Sequence, residues 1–138
     1  MNSEVSVVIL NYNGEKHLKT YLPSVEKYSE SARIVIIDNA STDASINYIK
    51  NNHPTIETII LDSNLGFAGG YNEGLKTVKS KYYILLNNDV RVTNNWIPPL
   101  INSIEEENLA GCQPKILSDN NNNYFEHAGA CGGYVDKD

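Results

Sequence analysis

The sequence is poor in basic residues, in cysteine and in long apolar runs. Its 11 lysine and arginine residues are outnumbered by 17 acidic ones, and the formal net charge is −6. Proteins that bind nucleic acids hold phosphate backbones with excess Lys and Arg, so this balance excludes such a partner. The two cysteines, Cys112 and Cys131, suit a reduced cytosolic protein better than a disulfide scaffold. A single disulfide between them remains an alternative. No segment approaches the roughly 20 apolar residues of a membrane span, and no secretory signal is visible, so we expect a cytoplasmic domain.

Three familiar ligand-binding motifs are also missing. The first apolar run is followed by a single glycine, Gly14, instead of the G-x-G-x-x-G of dehydrogenases, and the G-x-x-x-x-G-K-[ST] pattern is absent. These absences exclude the dehydrogenase and P-loop forms of nucleotide binding. Cys112, His127 and Cys131 lack the second clustered pair of a zinc site, so we interpret them as packing residues.

What the sequence does contain is an alternation of short apolar runs and helical patterns. Runs at 5–10, 34–37, 56–61 and 82–86 predict four strands, each followed by a helical pattern. Pro23 predicts a kink or split in the first helix, whereas Pro98 and Pro99 suit the first turn of the fourth. The alternation predicts an α/β, Rossmann-like fold with a mostly parallel sheet and helices on both faces. At 138 residues the chain has the size of one domain, 1–138.

The sequence also predicts several boundaries. Ser41 can cap the second helix, and the third helix is expected after a loop at 62–70, running through Leu75 and Val78. A further strand is predicted at 112–117. The segment 124–138 is glycine-rich and has no closing helix, so we expect the fold to be incomplete at the C-terminus. An uncovered sheet edge there could drive self-association.

Polar residues and glycines follow every predicted strand. Ligands of open α/β sheets bind beyond the carboxyl ends of the strands, so these residues form the predicted binding site. Asp38 can accept hydrogen bonds from a nucleoside, Tyr12 offers a flat face for a base, and Asp89 can bind Mg²⁺ or Mn²⁺ bridging a diphosphate. Asp and Asn also follow strands for purely local reasons, and only their joint occurrence favours a site. The predicted donor-binding residues are Asn11, Tyr12, Asn13, Asp38, Asn39, Gly66, Gly69, Gly70, Asn72, Asn88 and Asp89.

Five ordered motifs together resemble the N-terminal half of family 2 glycosyltransferases, of the GT-A fold, and within them a rhamnosyltransferase-like branch. The motifs are VSVVILNYNG, VIIDNASTD, NLGFAGGYNEGL, YYILLNNDV and FEHAG, and the resemblance runs from about Val5 to Gly133. It implies a site for a nucleoside-diphosphate sugar. Asn11 and Tyr12 would contact the base and ribose, Asp38 the nucleoside, and the stretch Gly66 to Asn72 the diphosphate and sugar. Asp89, the last residue of a D-x-D-like motif, would bind the metal.

The chain departs from this family pattern in three ways. Asn87 stands where many relatives have Asp, and Tyr71 stands where many have a basic residue, so neutralising a diphosphate would rest more on the metal and on backbone amides. The general base of inverting transfer is expected beyond Asp138, and Asp136 and Asp138 are poor candidates near a frayed end. We therefore expect a truncated chain that binds the donor with little or no transfer.

Two other functions remain open from the sequence. One is a non-catalytic module that binds a sugar nucleotide, and the other is a nucleotidyltransferase, which shares the scaffold but attacks phosphorus. Against the second, the turn at 11–14 is not a glycine-rich basic loop for a triphosphate. In a longer protein, the resemblance implies a glycan or lipid-linked acceptor in polysaccharide synthesis and a peripheral position at the inner face of the membrane.

Overall fold

Residues 4–127 are described by the computed structural model, and their four principal strands lie in one sheet. The strands are β1 (Val5–Asn11), β2 (Arg33–Asp38), β3 (Glu57–Ile60) and β4 (Tyr82–Asn87), in the spatial order β3-β2-β1-β4. All pairings within this sheet are parallel. The four predicted strands and the parallel α/β sheet are confirmed.

Three helices cover the two faces of this sheet: α1 (Glu15–Tyr28), α2 (Ser45–Asn52) and α3 (Gly66–Gly74). On one face, a buried cluster joins the strands to Tyr71 of α3 and to Val78. Because side chains alternate along a strand, Val7 and Ile9 point to the opposite face. The buried apolar residues of α1 and α2 belong to that second layer, and they are Leu18, Leu22, Val25 and Ile49.

The α1 helix is not split at Pro23, so that part of the sequence prediction is wrong. Proline removes one backbone donor and costs about 3 kcal/mol inside a helix. The ring of Pro23 faces solvent, whereas its neighbours Leu22 and Val25 are buried against the sheet layer and hold the helix together.

The end of α2 contacts α1, because His53 Nδ1 lies 2.8 Å from Glu26 Oε2.

Two predicted helix boundaries are also wrong. The α3 helix begins at Gly66, inside the expected loop, and ends at Gly74, before Leu75 and Val78. The glycine-rich segment is therefore the helix itself. A side chain at Gly74 would overlap Ile37 of β2, so glycine allows this helix to lie close to the sheet.

The chain divides into two compact units at Trp96, and the second unit contains α4 (Ile97–Glu106) and a short antiparallel pair, β5 (Ile116–Leu117) and β6 (Phe125–His127). Pro98 and Pro99 lie in the first turn of α4, as predicted. The strand predicted at 112–117 is limited to its last two residues. Cys131 and the glycine-rich end at 128–138, with their predictions, lie outside the described residues. Within residues 4–127, no helix is both long enough and apolar enough to cross a membrane.

Candidate functional site

The carboxyl ends of β1 and β2 are joined by a buried hydrogen bond between two predicted site residues. Asn11 and Asp38 lie opposite each other in the parallel register, and both side chains are 0% exposed. The Asn11 Nδ2 donates to Asp38 Oδ2 at 3.0 Å. The other carboxylate oxygen of Asp38 accepts from the backbone amide of Ser41 at 2.8 Å. Both oxygens of Asp38 are therefore hydrogen-bonded inside the protein. These hydrogen bonds compensate the cost of burying a carboxylate.

The end of β4 is attached to the same pair through Asn88. Its Nδ2 donates to Asn11 Oδ1 at 3.0 Å, so Asn11 connects Asp38 to Asn88. Gly14 lies directly against this contact, and a Cβ at Gly14 would overlap both Asn11 Oδ1 and Asn88 Nδ2. The sequence identified Gly14 only as part of a turn. The structure shows that its missing side chain leaves the space in which the two amides meet.

A loop after β2 packs on the loop after β1 through Ser41 and Asn13. The Ser41 hydroxyl accepts from the Asn13 backbone amide at 2.8 Å and from Asn11 Nδ2 at 3.2 Å. In return, Asn13 Oδ1 accepts from the amide of Thr42 at 2.7 Å. Asn13 itself has a left-handed backbone, with φ of 50°, which asparagine tolerates better than most residues. Ser41 is therefore not the cap of α2, which begins four residues later at Ser45 without a side-chain cap.

Asp43, in the same loop, takes the role of a helix cap for a different helix. Its Oδ2 accepts from the amide of Glu15, the first residue of α1, at 3.0 Å. Gly14 has no side chain to cap α1, so Asp43 satisfies an otherwise unpaired amide there. Burial by itself would raise the pKa of Asp43, but hydrogen bonds from Ser45 and Glu15 together leave that pKa below its ordinary value of 3.8.

Asn39 attaches the end of β2 to the start of α3. It is 2% exposed, and its Oδ1 accepts from the amide of Leu65 at 2.9 Å. Its Nδ2 donates to Asn64 Oδ1 at 2.8 Å and to the carbonyl oxygen of Gly66 at 3.0 Å. Gly70 packs beneath this contact, because a Cβ there would lie 2.7 Å from Leu10 Cδ1 and 3.1 Å from Asn39 Nδ2.

Other predicted site residues reach solvent at the same strand ends and along α3. Tyr12 is 48% exposed, and Asn13, Asn72 and Asp89 are exposed as well. Gly66 has φ of 72°, a conformation that favours glycine, and is exposed, whereas Gly69 is half-buried. The predicted residues thus form two sets. Asn11, Asp38 and Asn39 form a buried frame, and Tyr12, Asn72 and Asp89 are available to a ligand.

Asp89, the predicted metal ligand, is an exposed carboxylate beside the frame. Asp89 follows Asn88, whose side chain contacts Asn11, so the chain holds Asp89 close to the end of β1. Among residues 4–127, no three His, Cys, Asp or Glu side chains cluster in a way that could hold a metal ion. A cation at Asp89 would therefore need oxygen ligands from a bound molecule or from water.

Tyr71 lies within the stretch Gly66 to Asn72 that the resemblance assigns to the diphosphate and sugar, but its side chain is buried. It is 4% exposed, and its hydroxyl donates to the carbonyl of Leu86 at 3.1 Å and accepts from the amide of Leu10 at 3.4 Å. Burial raises the pKa of Tyr71 above 10.0, and the bond from Leu10 partly opposes this shift. Tyr71 is therefore a neutral hydrogen-bond donor at physiological pH. No sequence motif signals this role, because it depends on the depth at which α3 packs on the sheet.

The sequence matches one protein family over most of its length. The family model described as Glycosyl transferase family 2 matches residues 6–131. Among curated proteins, the chain is 25% identical over 122 residues to the low-salt glycan biosynthesis hexosyltransferase Agl10 of Haloferax volcanii, a match that covers 86% of this chain and 38% of that protein. The chain spans 33% and 38% of the lengths of two curated relatives that it matches, about a third of each.

Solved structures with the same fold include glycosyltransferases. The structure of Staphylococcus aureus TarS 1-349 in complex with UDP has a TM-score of 0.65 and 22% identity, covering 76% of this chain and 33% of that one. The mannosyltransferase PcManGT from Pyrobaculum calidifontis, in complex with GDP-Man and Mn²⁺, has a TM-score of 0.56 and 18% identity, covering 66% of this chain and 29% of that one. The predicted GT-A fold is confirmed by these structures.

Proposed function

The chain belongs to glycosyl transferase family 2, and from this membership we propose that it is the donor-binding part of an inverting glycosyltransferase that uses a nucleoside-diphosphate sugar. The observation that carries the proposal is the hydrogen-bonded connection from Asp38 through Asn11 to Asn88. This connection fixes the ends of three parallel strands at the edge where open α/β sheets bind ligands. The relatives named above support the donor class, since their descriptions name a hexosyltransferase, UDP and GDP-Man.

We assign the nucleoside to the loops after β1 and β2. Tyr12 presents an exposed ring on which a base can stack. Asp38 is fully buried and already holds Asn11 and the Ser41 amide, so a direct bond to the nucleoside requires the Ser41 loop to move. Asn13 and Ser41 bind each other across the two loops, and this contact restrains the loop that carries Tyr12.

We assign the diphosphate and sugar to the start of α3 and to Asp89. Gly66 and Gly69 allow close approach to the backbone, whereas Gly70 is buried against the sheet. The amides of a helix N-terminus attract anions. Asn72 is exposed along the same helix and could bind a sugar hydroxyl. A divalent cation, Mn²⁺ or Mg²⁺, fits Asp89, because such ions are often held by one carboxylate, water and the phosphates of the substrate. The cation would stabilise the departing diphosphate.

The proposed reaction forms a bond between an acceptor hydroxyl oxygen and the anomeric carbon, and breaks the bond to the nucleoside diphosphate. A general base removes the hydroxyl proton, and the leaving diphosphate takes the electron pair. We do not assign the base to any residue of 4–127, and we expect it beyond Asp138. For the longer protein we propose a glycan or lipid-linked acceptor, a role in polysaccharide synthesis and a place at the inner face of the membrane. Self-association remains a prediction.

Calorimetric titration of the 138-residue chain tests this proposal. UDP, dTDP and GDP are titrated separately, each with and without Mn²⁺. We expect one nucleotide to bind more tightly than the others and its affinity to rise with Mn²⁺. Equal affinities for all three nucleotides, unchanged by the ion, would contradict the donor site and favour a scaffold. If one nucleotide is preferred but a longer chain transfers no sugar, a non-catalytic binding module would be favoured.

A further inference from the structure

The Tyr71 hydroxyl contacts two backbone groups that the β1–β4 ladder also brings together, the Leu10 amide and the Leu86 carbonyl. Val5 is opposite Tyr82 and Ile9 is opposite Leu86 in the β1–β4 register. At the start of the ladder, the amide of Tyr82 donates to the carbonyl of Glu4. This bond determines which backbone amides and carbonyls of β1 and β4 point toward each other along the rest of the ladder. Continuing this pattern, the Leu10 amide faces the Leu86 carbonyl. The Tyr71 hydroxyl contacts both of these groups.

The position of this hydroxyl couples α3 to the ends of both strands. Leu10 immediately precedes Asn11, and Leu86 lies two residues before Asn88, which donates to Asn11 at 3.0 Å. The hydroxyl thus contacts the backbone close to the Asn11–Asn88 hydrogen bond, and Asp89 directly follows Asn88 in the sequence. On its other side, the Tyr71 ring packs edge-on against Phe67, in the first turn of α3, with centroids 5.1 Å apart.

We propose that Tyr71 is a positioning residue, which anchors α3 to the carboxyl ends of β1 and β4 and thereby places Asp89 relative to the start of α3. This inference rests on the proposed function, since it concerns the cation and diphosphate of that site. Tyr71 itself touches neither ligand. It transmits the position of α3, where the diphosphate is assigned, to the strand end that carries the cation ligand.

Tyr71→Phe tests the proposal, and Tyr83→Phe is its matched control. The Tyr83 hydroxyl also joins two backbone groups, accepting from the Ser80 amide at 3.1 Å and donating to the Val78 carbonyl at 2.9 Å. It does so near the start of β4, away from the carboxyl ends. Each variant removes one bridging hydroxyl and keeps the ring. Tyr71 is buried and Tyr83 is exposed, so the folding of each variant is checked by urea titration before binding is compared.

The measurement is the gain in nucleotide affinity that Mn²⁺ produces, for whichever of UDP, dTDP and GDP binds most tightly. We expect Tyr71→Phe to reduce this gain about fivefold, the effect of one net hydrogen bond, while binding without Mn²⁺ stays unchanged. Tyr83→Phe should retain the full gain. An unmodified chain without any Mn²⁺-dependent gain would overturn the proposed function. A normal gain that Tyr71→Phe retains would overturn only the positioning role.

Hydrogen exchange of the unmodified chain keeps the proposal testable if Tyr71→Phe does not fold. The Leu10 amide donates to Tyr71, so its exchange rate reports on the coupled strand ends. Adding the nucleotide together with Mn²⁺ should slow exchange at Leu10 more than the nucleotide alone does. Equal exchange under both conditions would overturn the coupling.

Discussion

The side-chain amide of Asn88 donates to the side-chain oxygen of Asn11 at 3.0 Å, across 77 positions of sequence. Asn11 in turn donates to Asp38, so one short chain of hydrogen bonds spans the ends of β4, β1 and β2. Asp89, the residue assigned to the cation, follows Asn88 directly. Its location therefore depends on the pairing of these strands and on the space that surrounds the two amides.

Gly14→Ala should disrupt this chain of hydrogen bonds. The added methyl group would overlap Asn11 Oδ1 and Asn88 Nδ2, and overpacking of this kind costs about 1–3 kcal/mol. We expect the free energy of unfolding, measured by urea titration, to fall by that amount. Gly111→Ala is the control, because nothing lies within 4 Å of a Cβ at Gly111. Equal stability of the Gly14→Ala and Gly111→Ala variants would contradict the packing described here.

Asp38→Ala should destabilise the chain and weaken nucleotide binding whether or not Mn²⁺ is present. The substitution leaves the Asn11 and Ser41 amide donors without their carboxylate acceptor, and each lost bond to a charged group costs roughly 1.5–3 kcal/mol. Urea titration measures the first effect. Calorimetry at a temperature at which the variant remains folded measures the second. Unchanged affinity in a folded variant would remove Asp38 from the donor site.

Asp89→Ala should have the opposite profile, with little loss of stability and loss of only the Mn²⁺-dependent part of nucleotide binding. Asp89 is exposed, so removing its side chain leaves no buried group unpaired. Glu30→Ala is a suitable control, since it removes an exposed carboxylate between α1 and β2, at the opposite edge of the sheet. A full Mn²⁺ effect in Asp89→Ala would show that the cation binds elsewhere.

The fold could be predicted from sequence further than the site could. An apolar run predicts a strand because the pattern lies within a few neighbouring residues of the sequence. All four predicted strands appear in the sheet. The role of Ser41 depends on Asn13, 28 positions away, and local capping rules cannot reveal that contact. The start of α3 was missed for a related reason. Glycine-rich segments usually signal loops, and only the closeness of Gly70 and Gly74 to β1 and β2 explains a helix there.

Asp43→Ala should loosen the start of α1. The carboxylate accepts from the Glu15 amide, and loss of such a cap costs about 1 kcal/mol. The folded pKa of Asp43 lies below its ordinary value of 3.8, so its contribution is present above that pH and is lost as the pH falls through the folded pKa. Urea titrations at neutral pH and near pH 3 should therefore show a difference between the unmodified chain and Asp43→Ala that shrinks in acid. A difference that persists unchanged in acid would assign the effect to packing instead.

Alkaline pH should destabilise the chain through Tyr71. In the unfolded chain this phenol ionises near its ordinary pKa of 10.0, whereas burial raises the folded pKa above that value. The stability is therefore complete below about pH 10 and falls as the pH rises from there through the folded pKa, because only the unfolded chain releases the proton readily. Tyr71→Phe has no such proton, so its free energy of unfolding should depend less steeply on pH in this range. Tyr48→Phe serves as the comparison, since burial also raises the pKa of Tyr48 although the nearby charge of Lys19 opposes that shift. If Tyr71→Phe lost stability as steeply above pH 10 as the unmodified chain does, Tyr71 would not be the buried, neutral donor that joins Leu10 to Leu86.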